Sequence, residues 1–202
     1  MHQASWKALL QKDLEYYAHG WLRIAGVDEV GRGCLAGPVF AAAVVLPKEA
    51  DLPGVNDSKK LTPAKREFLA PQIMEQAIAW SVASLSSDEI DRINIHQASL
   101  RAMEKAVVTL KSQPEYLLID GRHPLLVGCP QESLVHGDAR SRVIAAASIL
   151  AKVSRDQWMR EIAKQYPQYG FERHKGYGTL QHREAIRNYG LTPIHRKTFN
   201  VS

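Results

Sequence analysis

Two carboxylates side by side, Asp28 and Glu29, close the short apolar run Ile24-Ala-Gly-Val27 and lead into Gly31-Arg32-Gly33. No other stretch limits the chain so severely. A run of this length suits a buried strand. A carboxylate carried into a protein interior is costly unless it is paired or binds a metal. The two glycines free the backbone for a tight turn and let a ligand approach its N–H groups. The stretch therefore predicts an acidic site at a strand end, beside a backbone-lined pocket. The rest of the chain has to bring more acids to this place or surround it with positive charge.

Further acids stand in comparable positions. Tyr116-Leu-Leu-Ile-Asp120 reads as a buried strand ending in a carboxylate, and Asp138 follows a glycine after a fifth apolar segment and opens a helix. Each acid alone also reads as a cap, a turn residue or an ion-pair member, and Asp138 stands where Asp is a favoured N-cap. Together, four carboxylates from separate parts of the chain suit Mg²⁺ or Mn²⁺, hard cations that take oxygen ligands. Two such ions roughly 3.5–4 Å apart can activate a water and stabilise a leaving alkoxide.

The basic residues are spread more widely. The polar loop Asn56-Asp-Ser-Lys59-Lys60 is fit to contact phosphates. Lys152, Arg155, Arg160 and Lys164 recur along a long helical stretch and are expected to form a solvated face. His174-Lys-Gly-Tyr177-Gly-Thr179 sets a cation, an aromatic ring and flexible backbone together. Tyr177 there either packs or stacks on a sugar or base. The formal net charge of +5 is modest; it permits a polyanionic partner without requiring one. The turn from Gly31 to Gly37 is not a dinucleotide fingerprint, because Pro38–Leu46 reads as a strand where that motif needs a helix.

Periodicity and punctuation predict a helix from Ser5 to about Tyr17, with Ser5 as its cap, and strands over Trp21–Val30, Pro38–Leu46, Ile78–Leu85, Tyr116–Asp120 and Glu132–His136. Helices are predicted from Pro63 (capped by Thr62) to about Gln76, from Ser87, from Asn94 to about Lys111, over Ser141–Tyr166 and over Thr179–Asn188. Pro47–Leu61 and His174–Gly178 read as loops, and Thr192–Ser202 as an irregular basic tail. The 202 residues fit one domain, or one with a small appendage. Strands alternating with helices predict an α/β or mixed sheet with flanking helices. No apolar run approaches the ~20 residues of a membrane span, and residues 1–6 lack the pattern of a signal peptide. Cys34 and Cys129 have no metal-site spacing and are expected to be reduced thiols in the cytoplasm.

In combination these segments resemble the type 2 ribonucleases H (ribonuclease HII). Asp28-Glu-Val-Gly-Arg-Gly33, continued by Leu35-Ala-Gly-Pro-Val39, is similar to that family's signature, and Asn56-Asp-Ser-Lys-Lys-Leu61 to its second block. Leu118-Ile-Asp120-Gly121 resembles the third block. Gly137-Asp138 with Ile144–Asp156 resembles the fourth. Tyr166-Pro-Gln-Tyr-Gly170, His174-Lys-Gly-Tyr177 and His195-Arg-Lys-Thr-Phe199 extend the likeness, which covers about Ile24 to Phe199.

The resemblance implies a ribonuclease H-like fold, with a central five-stranded mixed sheet flanked by helices and a helical C-terminal extension. Residues 1–20 would be an N-terminal helical segment and 21–202 the catalytic domain. The activity implied is two-metal-ion endonucleolytic cleavage of RNA in RNA–DNA hybrids, with incision 5′ of single ribonucleotides embedded in duplex DNA, giving 3′-hydroxyl and 5′-phosphate ends. Asp28, Glu29, Asp120 and Asp138 would be catalytic and would hold two Mn²⁺ or Mg²⁺ ions. Gly31, Arg32 and Gly33 would read the 2′-hydroxyl, Lys59 would contact a phosphate, and Tyr177 would stack on the sugar beside the RNA–DNA junction. The implied enzyme is a cytoplasmic monomer that acts in replication and repair without a membrane. His136 departs from an expected lysine, and Cys34 from a common proline. The related type 3 enzymes carry an extra N-terminal domain that the ~20 residues before the first strand cannot supply. Two other readings stay open on the residues alone. One is another metal-dependent nuclease of the same fold, such as a resolvase or DNA exonuclease, which would not need Gly31-Arg-Gly33 with Tyr177. The other is a non-catalytic nucleic-acid-binding protein, which would tolerate loss of the acids.

Overall fold

The structure, a computed structural model, describes residues 2–200. Five strands form one mixed sheet: β1 (Ile24–Val30), β2 (Val39–Val45), β3 (Ala79–Leu85), β4 (Tyr116–Asp120) and β5 (Gln131–Leu134). Their spatial order is β3-β2-β1-β4-β5. The short connection after Gly31 makes β1 and β2 antiparallel, and β3 continues antiparallel on β2. β4 and β5 run parallel to β1. The fold is ribonuclease H-like, as the resemblance implied.

Helices cover both faces of the sheet. α1 (His2–Ala18), α2 (Pro63–Gln76) and α5 (Arg142–Ala163) lie on one side, and α3 (Ser87–Ile93) and α4 (Ile95–Val108) on the other. The C-terminal part holds α6 (Phe171–His174) and α7 (Leu180–Tyr189). β2 is buried along its whole length. Its run Ala41-Ala42-Ala43 alternates between the two cores, so small side chains let helices approach from both faces. Among the described residues no helix is long and apolar enough to cross a membrane.

Local signals placed most boundaries. Thr62 caps α2, accepting a hydrogen bond from the Lys65 N–H, with Pro63 in the first turn. β4 occupies the predicted residues, β1, β2 and β3 are one to three residues shorter at one or both ends, and β5 begins one residue earlier and ends two earlier than predicted. Three expectations change. α1 begins at His2, so Ser5 lies inside the helix and is not its cap. The loop before α2 contains a 3₁₀ turn, Ser58–Lys60, capped by Asp57. α5 ends at Ala163 and a separate 3₁₀ turn follows at Pro167–Tyr169, where a proline cannot continue the helix.

α1 is not a loose appendage. Trp6, Leu9, Tyr16 and Tyr17 are buried in the core under α5. Asp13, fully buried, accepts hydrogen bonds at Oδ2 from the N–H groups of Arg142 (3.1 Å) and Val143 (3.4 Å), so α1 caps the first turn of α5. The Arg142 guanidinium lies 4.9 Å from the Trp6 ring.

Candidate active site

The acids meet because β1 and β4 are parallel and in register. Val27 pairs with Ile119, which makes Asp28 and Asp120 the next residues on adjacent strands. Side chains alternate along a strand. Ile24 and Leu118 belong to the core under α5, so Asp28 and Asp120 turn to that face and Glu29 to the opposite one. Asp138 comes from a 3₁₀ turn, Gly137–Ala139, just before α5. Gly26 sets how near α5 lies: a Cβ there would stand 2.0 Å from Val143 C and 2.2 Å from Ile144 N. The Gly137 N–H donates to Asp120 Oδ1 at 2.6 Å and ties the turn to the end of β4.

Asp138 is therefore not the helix cap that its position suggested. Ser141 caps α5 by accepting from the Ile144 N–H, and Asp138 is buried with one carboxylate oxygen 3.2 Å from Lys59 Nζ. Ser148, one α5 residue that faces the site, hydrogen-bonds Asp28 and also lies 2.8 Å from Ser58 Oγ. Arg32 approaches Glu29 at 3.5 Å.

This is a crowded acidic cluster with little counter-charge. Burial pushes Asp28 well above the ordinary carboxylate range, and the charges of Glu29, Asp120 and Asp138 push it further. Glu29 is raised by burial and Asp120, against the pull of Arg32. Asp120 is raised by burial and by Asp138, opposed by the Gly137 N–H and Lys59. Burial works against charge on Lys59, but Asp138 more than offsets it and the ammonium is held. The donor set is all carboxylate oxygen, which fits a hard divalent cation. Among the described residues no group of three or more acids, histidines or cysteines is already drawn together as a metal cage.

The glycine turn is built from behind by two arginines. Gly31 has φ +97° and Gly37 φ +87°, so the chain needs glycine at both. Arg196 donates to the carbonyls of Gly31 (2.6 Å), Arg32 (2.8 Å) and Gly37 (2.8 and 3.0 Å). Arg155 donates to Pro38 O (3.1 Å), Ala36 O (3.1 Å) and Lys175 O (2.9 Å). Both are fully buried. Arg155 thus departs from the solvated face expected of α5's cations; Arg160 and Lys164 do lie at the surface, paired with Glu67 and Glu161, and Lys152 pairs with Asp156. Arg196 sits in the tail, which is irregular as expected but anchored. Two of the turn's carbonyls, those of Gly31 and Arg32, are thereby occupied from behind. A Cβ on Gly33 would meet nothing within 4 Å.

Tyr177 is fixed beside this turn by an antiparallel bridge to Cys34, and Gly176 O accepts from the Leu35 N–H at 2.8 Å. Lys152 Nζ and Arg155 Cζ each lie 5.9 Å from the Tyr177 ring centre, within cation–π range. The ring remains 41% exposed, so it is backed on one side and open on the other. A groove of about 360 Å³ next to it is lined by Arg66, Lys152, Arg160, Arg173 and Lys175, with Asp156 the acid among them. Cys34 and Cys129 are free thiols.

Known proteins resemble the chain in sequence and in fold. The ribonuclease HII family model matches residues 25–202. Ribonuclease HII of Geobacillus thermodenitrificans (strain NG80-2) is 57% identical over 196 residues, covering 96% of this chain and 74% of the relative. The crystal structure of ribonuclease H2 from Pyrococcus horikoshii OT3 superposes with a TM-score of 0.77 at 27% identity, covering 89% of this chain and 94% of that one. Bst-RNase HIII, solved in complex with Mn²⁺, shares the fold at 22% identity and a TM-score of 0.66, over 89% of this chain and 68% of its own.

Proposed function

Because this chain belongs to the ribonuclease HII family, metal-dependent endonucleases acting on RNA in RNA–DNA hybrids, we propose that it also incises duplex DNA 5′ of a single embedded ribonucleotide. The observation that carries this reading is that the acids, two of them buried and two half-buried, stand next to the glycine turn and the half-open ring of Tyr177. That arrangement offers a 2′-hydroxyl reader and a stacking surface beside one acidic centre. The 2′-hydroxyl is what separates RNA from DNA at such a site.

Asp28, Glu29, Asp120 and Asp138 would hold two divalent ions, Mg²⁺ or Mn²⁺; the manganese complex of Bst-RNase HIII supports such ions on this fold. Bound there, the ions supply an activated water and stabilise the leaving 3′-oxygen. The chain's own residues do the rest. The N–H groups of the Gly31-Arg32-Gly33 turn donate to the 2′-hydroxyl oxygen and orient the ribose. Tyr177 stacks on the sugar that follows it, which fixes the junction. Lys59 holds Asp138 and contacts a backbone phosphate. Ser148 and the Gly137 N–H keep Asp28 and Asp120 aimed at a common centre.

The test is a panel of all-DNA duplex, RNA–DNA hybrid and duplex with one ribonucleotide, each incubated with Mg²⁺ or with Mn²⁺. Incision 5′ of the single ribonucleotide, leaving 3′-hydroxyl and 5′-phosphate ends, is expected. Cleavage of the hybrid with an intact single-ribonucleotide duplex would overturn the proposal.

A further inference from the structure

Three histidines sit in the C-terminal part, away from the acids, and nothing in the chemistry above uses them. His182 and His195 are fully buried and His174 nearly so. The rings of His174 and His182 stack at 4.5 Å with 16° between planes, and His182 and His195 are 5.2 Å apart. Phe171 packs against all three at 5.3–5.8 Å.

Their hydrogen bonds define which nitrogen carries each proton, because a carbonyl accepts and a backbone N–H donates. His182 Nδ1 lies 2.9 Å from Tyr177 O and must donate to it. Its Nε2 therefore holds a lone pair, and His195 Nε2, 3.1 Å away, donates to that. His195 Nδ1 then has the lone pair that accepts from the Thr192 N–H at 2.8 Å, with the Thr192 hydroxyl also at 2.8 Å. His174 Nδ1 accepts from the Gly176 N–H at 3.2 Å, and its Nε2 donates to Tyr169 O at 2.7 Å. Every ring nitrogen is satisfied with each imidazole neutral. Burial holds His182 and His195 down to about 4 and lowers His174 as well, in agreement with that count.

The chain of bonds runs in one direction, from Thr192 through His195 and His182 to the backbone of Tyr177. His174 holds the neighbouring residue, Gly176. Tyr177 O also accepts from the Thr179 N–H at 2.8 Å, so it is gripped from two sides. The loop needs such a grip. It turns through left-handed backbone at Lys175 (φ +52°) and Gly176 (φ +83°), and a non-glycine residue at positive φ is held there by its surroundings.

We propose that His182 and His195, supported by His174, are positioning residues that set the backbone, and through it the ring angle, of Tyr177 for discrimination of the RNA–DNA junction. The inference rests on the proposed junction-reading role of Tyr177. It assigns specificity to a buried relay that touches neither substrate nor acid.

His182→Leu removes the donor to Tyr177 O, while the Thr179 N–H still satisfies that carbonyl. His182→Asn keeps an N–H near the Nδ1 position. His195→Leu breaks the relay one step back, and His195→Gln keeps a donor near Nε2. Each is assayed on a single-ribonucleotide duplex and on a long hybrid, alone and combined with Tyr177→Ala, beside a thermal melt. The Leu variants should lose roughly tenfold on the single ribonucleotide, the low end of a lost stacking contact, and clearly less on the hybrid. The Asn and Gln variants should recover most of the loss. In the Tyr177→Ala background the histidine changes should add almost nothing.

Equal losses on both substrates that follow the melting temperature would overturn the proposal, as would full additivity with Tyr177→Ala. If a Leu variant fails to fold, His182→Gln and His195→Asn, polar side chains whose lengths displace the relay donors, take its place in the same additivity test with Tyr177→Ala. A Tyr177→Ala protein that discriminates normally would instead remove the junction reading itself.

Discussion

Gly26→Ala isolates the packing that creates the acidic site. The added Cβ would lie 2.0 Å from Val143 C, where ordinary contact begins at 3.4 Å, so α5 must retreat from β1 by about 1.4 Å. Both nearest atoms are backbone, with no side chain that could swing away. Overpacking of this kind costs ~1–3 kcal/mol, and a helix backbone that cannot yield puts Gly26→Ala at the upper end. For a chain of this size ~3 kcal/mol lowers the melting temperature by ~6–12 °C. The catalytic effect should be larger still. Ser148 and the turn bearing Asp138 move with α5 while Asp28 and Asp120 stay with the sheet, and a misplacement of ~1 Å can cost ~10²-fold in rate. Thermal melting and single-turnover cleavage of a long hybrid read the two effects. Gly33→Ala is the control: its Cβ meets nothing within 4 Å, so its melting temperature should hold while substrate binding weakens. A Gly26→Ala protein that melts within ~2 °C of the parent and cleaves normally would refute the idea that this close approach assembles the site.

Asp28→Asn should stabilise the protein in chelator, because burial and three neighbouring acids disfavour its charge, yet lower cleavage by more than ~10²-fold; normal activity would remove Asp28 from the chemistry. Lys59→Ala should reduce the slope of log affinity against log salt by about one unit if Lys59 meets a phosphate, and an unchanged slope would show that it only serves Asp138. Asp13 has its pKa raised from the ordinary 3.8 to about 6, chiefly by burial, and its Oδ1 has no hydrogen-bond partner among the described residues. The folded state therefore holds this proton more tightly than the unfolded chain, and the stability it lends is full below pH ~4 and lost as pH rises through ~6. Asp13→Asn should flatten that part of the pH–stability curve in chemical denaturation at about pH 4.5 and about pH 6.5, and an identical slope in variant and parent would refute it.

Much of the site was legible because its signals are local. An acid ending an apolar strand, a glycine pair after it and Thr62-Pro63 before a helix each depend on neighbours a few residues away. The ordered blocks added the family likeness and with it the fold. What stayed hidden was carried by contacts between distant residues. Arg155 looked like ordinary surface charge and Arg196 like part of an irregular basic tail, since arginine is seldom fully buried. Their carbonyl partners lie 117 and 165 residues away in the chain. Asp138 looked like a cap until Gly26 let α5 close on β1 and left it facing Asp120. The histidine relay is three separate side chains in sequence and one network in space. The sequence by itself determined which acids end which strands and where the backbone can turn, because those follow from side-chain period and φ preference. Only the tertiary structure decided which charges are buried and what holds them there, because burial depends on what the rest of the chain packs against them.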